Sequence, residues 1–285
     1  MPVFTFSIRP AFTVNRSDRA DRFSRLLFLT FLMTTYVSAA PLWQDEFNQP
    51  AGSGPDPAKW VYDVGDNGWG NKELQTYTTS RENSFVVDDP EATDGRALVI
   101  KALRTSASGY TSARLKTHGK FSTRFGRVEA RLKLPKGQGV WPAFWMLGDD
   151  IDQVPWPACG EIDIVELIGH QPGTLYGTLH GPGYSGQHGL SKFTVLPAGA
   201  IFSDAYHVFA VDWKPGRIDW LLDGTVYHSR TAADLPSGAE WVFDRMAGFL
   251  LLNLAIGGVW PGYPNDTTVF PQEYRIDYIR VYAHQ

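Results

Sequence analysis

Apolar and polar residues alternate along much of this sequence with a period of two, the pattern of a β-strand that buries one face. Residues 126–134 (GRVEARLKL) are the clearest case, because every second side chain is apolar and the side chains between them are charged. Outside the N-terminal region, no stretch keeps helical periodicity over three turns. The chain is therefore expected to fold almost entirely from strands.

Other short runs have the same character. They predict strands at 98–103, 143–147, 161–167, 175–180, 206–213, 249–256 and 274–283. Within residues 217–229, Asp223-Gly224 separates two strand-like runs, which is a strong hairpin pattern. Many short strands punctuated by 28 Gly and 19 Pro indicate an antiparallel sandwich or barrel. From Leu42 onward no repeat or linker divides the chain, so one domain is expected.

The first forty residues read as an export signal. A basic stretch ends at Arg25, the apolar run at 26–37 follows, and small residues lead to Ala40. The run is shorter than the roughly 20 apolar residues that span a bilayer, which favours a cleaved signal over an anchor. The alternative is a short buried helix. We expect a signal peptide at 1–40 and a secreted, extracellular domain at 41–285.

Charge narrows the class of ligand. The whole chain has a net charge of -4, and residues 1–40 carry an excess of three positive charges, so the mature chain would be near -7. That balance argues against nucleic acid as a partner. Aromatic residues make up 14% of the chain, and their flat rings stack on sugars as well as on bases. A neutral ligand is favoured, and the mature protein is expected to be a monomer that binds no membrane.

Cys159 is the only cysteine, so an intramolecular disulfide is excluded. Its position close to Glu161 suggests a nucleophile, but no Cys/His/Asn pattern accompanies it. A packed thiol is the favoured interpretation.

The segment GEIDIVELIG (160–169) places three carboxylates in an otherwise apolar run. On a regular strand, Glu161 and Asp163 would share a face and Glu166 would point the other way. The three can act together only if a β-bulge absorbs one extra residue at about 164–165. Ile162 and Leu167 would then face the core.

Carboxylates on one face of a concave sheet suit a retaining glycosidase, in which one acid attacks the anomeric carbon and another protonates the leaving oxygen. The middle carboxylate would hold a hydrogen bond or a shared proton between them. One alternative is a wet strand edge whose acids deter aggregation, but the neighbouring WPAFWML (141–147) is too apolar for that. Calcium binding is a second alternative, although a strand offers no loop carbonyls to complete the ligand shell.

Three separated motifs, WPAFWML (141–147), PACGEIDIVE (157–166) and LNLAIGGVWPG (252–262), together resemble the laminarinase-like branch of glycoside hydrolase family 16, the endo-β-1,3-glucanases. The resemblance runs from about residue 43 to 283. It implies an all-β, concanavalin-like β-jelly-roll sandwich of two antiparallel sheets, with a substrate cleft on the concave sheet. It also implies that Glu161 is the nucleophile, Glu166 the general acid/base and Asp163 the assisting carboxylate, and that catalysis needs no cofactor.

The same resemblance implies further cleft residues. Hydroxyl-binding, stacking and histidine positions of the family match Asn71, Arg114, Trp141, Trp145, His180, Asn253 and Trp260, with Trp260 on the donor side. Three other tryptophans, Trp213, Trp220 and Trp241, are expected to be core residues.

Family members often bind a structural calcium ion on the convex side. Here the matching positions are the Asp277 carboxylate, the backbone of Glu46 and the carbonyl of Gly95. Hard oxygen ligands fit calcium, and such an ion would tie the two ends of the chain together.

Alternative functions stay open at this stage. One is a non-catalytic β-glucan recognition protein, and retention of all three acids argues against it. Another is a transglycosylase or a hydrolase of a sulfated galactan. Sulfate should call for basic residues around the cleft, and residues 141–170 contain no Arg or Lys. The choice between β-1,3 and mixed-linkage β-1,3-1,4-glucan depends on loop shapes such as that of residues 148–158.

Overall fold

The computed structural model describes residues 40–284, so the expected signal peptide lies almost wholly outside the described residues. These residues form 17 strands, linked by turns and three short 3-10 segments. The strands are β1 (Trp43–Asp45), β2 (Val61–Asp63), β3 (Gln75–Tyr77), β4 (Ser84–Asp88), β5 (Arg96–Arg104), β6 (Tyr110–Ser112), β7 (Arg114–Lys116), β8 (Gly126–Lys133), β9 (Val140–Gly148), β10 (Glu161–Glu166), β11 (Thr174–His180), β12 (Lys192–Val195), β13 (His207–Lys214), β14 (Arg217–Leu222), β15 (Thr225–Thr231), β16 (Gly248–Ile256) and β17 (Gln272–Tyr282).

The strands build two sheets. One has seven strands in the order β12-β11-β10-β9-β16-β7-β2, and all its pairs are antiparallel. The other has ten strands, with the main order β15-β14-β13-β8-β17-β5-β6-β3, and β1 and β4 pair at its side. Its one parallel pair is β3 with β6. The architecture is thus a sandwich of two mostly antiparallel sheets, as the alternating pattern predicts.

Every strand expected from the pattern is present, with boundaries shifted by a few residues. The hairpin between β14 and β15 turns at Asp223 and Gly224, whose φ angles of 48° and 78° are those of a primed turn. The strands β1, β2, β3, β4, β6, β7 and β12 were not predicted. They have between three and five residues, which are too few to display a clear period.

The core lies between the two sheets. Ile162, Leu179 and Leu252 come from the seven-stranded sheet and pack with Val211 and Ile279 of the other sheet, all fully buried. In β11, Leu175 and Leu179 belong to this core, so the side chains of Tyr176, Thr178 and His180 point to the opposite, outer face of the seven-stranded sheet. That outer face carries the carboxylates.

A second, smaller cluster covers one end of the same outer face. Leu147, Cys159, Phe249 and Leu251 are buried there under Ile151 and Val154 of the loop between β9 and β10. The loop thereby closes the face near the start of β10 and leaves the remainder open. Among residues 40–284, no helical segment is long and apolar enough to cross a membrane.

Candidate active site

The predicted β-bulge is present in β10. Against β9, Asp163 pairs with Trp145 and Val165 pairs with Phe144, so Ile164 is the extra residue. Ile162, Ile164, Val165 and Leu167 are all buried in the core between the sheets. Glu161, Asp163 and Glu166 therefore all belong to the outer face.

The bulge is supported from the opposite sheet. A bulge leaves backbone groups without ladder partners, and the indole of Trp220 on β14 donates to the carbonyl oxygen of Asp163 at 2.7 Å. Trp220 can come this close because its neighbour on β11 is Gly177. A Cβ at that position would lie 2.5 Å from the ring and would force it away. Trp220 is fully buried, as expected, and its hydrogen bond also holds β10 in place.

The three carboxylates hold protons more tightly than ordinary acids. Burial raises the pKa of Glu161 to about 8, and repulsion from Asp163 acts in the same direction. Burial likewise raises the pKa of Asp163 to about 8. Burial raises the pKa of Glu166 to about 8, and repulsion from Asp163 acts in the same direction. Because full ionisation would place three mutually repelling charges in a desolvated site, the cluster retains protons at neutral pH.

His180 closes one side of the cluster. Its Nε2 lies 3.3 Å from Asp163 Oδ2 and 3.7 Å from Glu161 Oε1. Electrostatic attraction to the imidazole lowers the pKa of Glu161 and of Glu166, against the larger effect of burial. One donor atom from each of Glu161, Asp163 and His180 lies within 4.8 Å of the others, and this is the one such potential metal-holding group found among residues 40–284. These strand positions provide no backbone carbonyls for a calcium-type shell.

Trp156 contacts the expected nucleophile directly, and sequence reasoning did not identify it. Its Nε1 donates to Glu161 Oε2 at 2.8 Å, and this hydrogen bond lowers the pKa of Glu161. The ring stands 6.1 Å from that of His180 and is 44% exposed at the mouth of the site. Trp156 belongs to the loop that covers the Cys159 cluster, and the only available clue was its proximity in sequence to Glu161.

Glu166 has its own set of neighbours. The hydroxyl of Thr178 donates to Glu166 Oε2 at 3.4 Å, a long contact that lowers the pKa slightly. The indole N–H of Trp141 also lowers the pKa of this carboxyl, although it lies outside ordinary hydrogen-bond geometry. Glu166 thus has weaker hydrogen-bond donors than Glu161 and is the better placed of the two to keep a proton.

A hydrogen-bonded chain runs below the cleft on the β16 side. Trp145 donates from Nε1 to Asn253 Oδ1 at 2.8 Å, and Asn253 donates to the Tyr77 hydroxyl at 3.1 Å. Tyr77 donates in turn to Glu73 at 3.3 Å, where burial raises the carboxyl pKa. Asn253 was expected to bind sugar hydroxyls, but its side-chain oxygen is used to hold Trp145. Its remaining N–H is the group available to a ligand.

Arg114 lies at the same end of the cleft. Its guanidinium stands 4.8 Å from the ring centres of both Trp69 and Trp145, and its Nε is 2.9 Å from Asp63. This sandwich fixes the side chain by cation–π contact and ion pairing together. Trp69 has a left-handed backbone with φ of 50°, an unfavourable conformation for a large side chain that is typical of functional loops.

Asn71 and Trp260 lie on two loops that are joined to each other. Asn71 is exposed and donates to Glu73 Oε1 at 3.2 Å, while its carbonyl accepts from Val259 N at 2.9 Å. The Trp260 ring contacts Trp141 on β9 at 5.5 Å, edge to face, and also reaches β11. Trp260 therefore lies over β10 at its Glu166 end, in contact with the strands on both sides of it.

The residues assigned to the core are placed as expected. Trp213 is 1% exposed, and Trp241 is partly buried against the same core. Cys159 is buried, and burial raises its pKa to about 11, so it is a packed thiol and not a nucleophile.

The calcium prediction does not fit the residues present. The buried carboxylate of Asp277 accepts hydrogen bonds from the backbone and hydroxyl of Thr93 and forms an ion pair with Arg131. A cation at this carboxylate would face a guanidinium, which repels it. The carbonyl of Gly95 accepts from Asp89 N at 2.9 Å. The side chain of Glu46 forms a bidentate pair with Arg280.

Comparisons with known proteins show the family to which the chain is related. Residues 72–280, which include β10, match the model of the family Glycosyl hydrolases family 16. The chain is 40% identical over 252 residues to a beta-glucanase of Rhodothermus marinus, covering 85% of this chain and 84% of that protein. It is 38% identical over 272 residues to glucan endo-1,3-beta-glucosidase A1 of Niallia circulans, covering 86% of this chain but only 38% of that protein.

The fold has a close counterpart among solved structures. The laminarinase catalytic domain of Thermotoga maritima MSB8 is 46% identical, with a TM-score of 0.77 over 86% of this chain and 98% of that chain. The jelly-roll sandwich expected from the sequence is thereby confirmed.

Proposed function

Because this chain belongs to glycosyl hydrolase family 16 and is a glycoside hydrolase, we propose that it is an endo-acting β-1,3-glucanase that retains the anomeric configuration. Laminarin-type or mixed-linkage β-glucans are the proposed substrates. The observation that carries the proposal is the bulge at Ile164, which brings Glu161, Asp163 and Glu166 to one face. A retaining glycosidase needs such neighbouring carboxyl groups.

In the first step, ionised Glu161 attacks the anomeric carbon while the protonated carboxyl of Glu166 gives its proton to the glycosidic oxygen. The bond from carbon to the leaving oxygen breaks, and an ester between the sugar and Glu161 forms. Trp156 supports ionisation of the nucleophile through its N–H. Burial favours the protonated acid at Glu166.

In the second step, the carboxylate left at Glu166 takes a proton from water, and the water oxygen attacks the anomeric carbon. The ester breaks and Glu161 leaves as a carboxylate. Asp163, between the two, holds a shared proton and so keeps its neighbours in opposite protonation states. His180 is within 3.7 Å of both Glu161 and Asp163 and limits their mutual repulsion when they ionise.

A neutral glucan is the proposed substrate because the surroundings of β10 carry mainly acids and aromatic rings, and the guanidinium of Arg114 is already paired with Asp63. Residues 141–170 contain no Arg or Lys to pair with sulfate. The names of the relatives, a beta-glucanase and a glucan endo-1,3-beta-glucosidase, agree with a β-1,3-glucan.

Two other functions compete. A non-catalytic β-glucan recognition protein would have no use for three costly buried carboxylates. A transglycosylase or a hydrolase of a sulfated galactan would use the same acids on another acceptor or substrate.

Reducing-end release by residues 41–285 tests the proposal on laminarin, barley mixed-linkage glucan, agarose and carrageenan. We expect release from laminarin by the unaltered protein and a loss of about 10²- to 10⁴-fold in Glu166→Gln, since general acid catalysis contributes that range. Glu82→Gln, at an exposed position, is the control. Binding to laminarin without release by either protein would identify a recognition protein.

Export is part of the proposal. The basic stretch, the apolar run at 26–37 and the small residues that follow support a cleaved signal peptide. Measuring the N-terminal residue of the protein recovered from the medium tests it, with cleavage expected near residue 40.

A further inference from the structure

An exposed aromatic row leads away from the catalytic strand across the edge of the seven-stranded sheet. It begins beside Trp260 and consists of Tyr176 on β11 and Phe193 on β12. The ring centres of Trp260 and Tyr176 are 5.0 Å apart, and those of Tyr176 and Phe193 are 5.8 Å apart. Phe193 is 58% exposed, which is unusual for a phenylalanine on an edge strand.

The row lies on the same face as the carboxylates. Tyr176 is the cross-strand partner of Glu166, and Phe193 is the partner of Tyr176. Directly paired residues point to the same face of a sheet. Leu175, next to Tyr176 in the chain, is buried in the core, so Tyr176 and Phe193 face outward with Glu166.

The position of the row indicates which part of a substrate it meets. Arg114 and Asn253 lie on the β7 and β16 side of the catalytic strand, and the row lies on the opposite side. Tyr176 stands beside Glu166, the group that protonates the leaving oxygen. On the proposed assignment of Glu166 as the acid, we place the leaving portion of the glucan on this side, over Tyr176.

The chemistry of the row suits an uncharged sugar. Its members offer ring surface and one hydroxyl, and that hydroxyl donates to Gln171 at 2.8 Å, which holds the Tyr176 ring in place. Flat, fixed rings stack on the apolar faces of pyranoses at little entropic cost. Exposed apolar patches rimmed by polar residues commonly mark ligand-binding grooves.

We infer that Tyr176 and Phe193 form an acceptor-side binding platform for β-glucan, with Tyr176 under the first leaving unit and Phe193 under the second. The inference rests on the proposed glucanase function and adds the substrate length that the enzyme prefers. Strands in a sheet are about 4.8 Å apart, so Phe193 lies roughly 10 Å from the catalytic strand across the sheet. That distance is beyond the sugar that carries the scissile oxygen.

The test compares two substrates in the Phe193→Ala variant. Laminarihexaose labelled at its reducing end occupies the acceptor side, whereas 4-nitrophenyl laminaribioside places no sugar there. We expect kcat/KM on the hexaose to fall by roughly 2- to 10-fold, the range of one aromatic contact. Cleavage should also shift toward the reducing end. The aryl substrate should be cleaved at the unaltered rate.

Two further variants control for structure. Val226→Ala removes a side chain that is similarly exposed, at 50%, but lies on the other sheet. This variant should cleave both substrates at the unaltered rate. Phe193→Tyr keeps the ring and should retain the hexaose activity. An unchanged hexaose rate and cleavage pattern in Phe193→Ala, or an equal loss on both substrates, would overturn the platform. Absence of glucan cleavage by the unaltered protein would overturn the proposed function itself.

Discussion

The indole N–H of Trp156 donates to Glu161 Oε2 at 2.8 Å, so the loop between β9 and β10 holds the proposed nucleophile. The bond stabilises the carboxylate and opposes the burial that raises its pKa. It also ties the loop that covers the Cys159 cluster to the chemistry of the site. Movement of this loop would therefore change the protonation of Glu161.

We predict that Trp156→Phe raises the pKa of Glu161 and moves the acid limb of the kcat/KM profile to higher pH. The nucleophile must be ionised, so kcat/KM should fall by about 3- to 10-fold below the optimum and less above it. This is the scale of one partly exposed hydrogen bond to a charged group. Trp241→Phe is the matched control, because Trp241 donates to Asp244 at 3.0 Å away from the site. An unmoved acid limb would contradict the prediction.

Glu161→Ala should lower hydrolysis by at least about 10³-fold, because the covalent step is lost. Azide should restore part of the activity on an aryl glycoside and give a product of inverted configuration, since it attacks from the face that Glu161 occupied. Product configuration can be read by NMR. A variant that hydrolyses laminarin at the ordinary rate would remove Glu161 from the nucleophile role.

Glu161→Gln should stabilise the protein at neutral and alkaline pH. The folded-state pKa of Glu161, about 8, lies above its unfolded value of 4.5, so folding becomes less favourable as pH rises through this window. The gain from substitution should appear above about pH 4.5 and be largest above about pH 8. We expect about 0.5–2 kcal/mol, as for other strained active sites, measured by urea unfolding at pH 5 and pH 8. A gain that does not grow with pH would refute this explanation.

His228 should make the fold sensitive to acid. Its ring is stacked on Trp220 and 2% exposed, and neither nitrogen is in ordinary hydrogen-bond geometry, although the Leu190 backbone lies close. Burial lowers its pKa to about 4. The unfolded chain binds this proton near pH 6.5, so the stability contribution is lost as pH falls from about 6.5 to about 4. His228→Phe should therefore melt higher than the unaltered protein at pH 5, by more than at pH 7.5. An equal difference at both pH values would contradict the prediction.

A chelator should leave the melting temperature unchanged, because Arg131 and Thr93 occupy the carboxylate of Asp277. Arg131→Met should instead destabilise the fold by roughly 1–3 kcal/mol, since it leaves a buried carboxylate unpaired. Arg131→Met combined with Asp277→Asn should recover much of that loss. A fall in the melting temperature with EDTA that calcium reverses would restore the calcium site.

Much of the fold could be predicted from local pattern. The strands, the Asp223-Gly224 hairpin and the bulge near Ile164 follow from side-chain alternation and turn chemistry. These properties depend on residues that are neighbours in the chain, so the sequence expresses them directly. The very short strands could not be predicted, because they exist through pairing with distant segments.

For the candidate site, too, some features follow from local sequence pattern and others depend on tertiary packing. The sequence by itself determined that three carboxylates would need a bulge to share one face, because the period of a strand is two. Only the tertiary structure decided that Trp220 supports the bulge, that Trp156 holds Glu161 and that Arg131 pairs with the carboxylate of Asp277. Each of these contacts joins different strands or loops, and its partners are chosen by sheet packing and register, which no local pattern records.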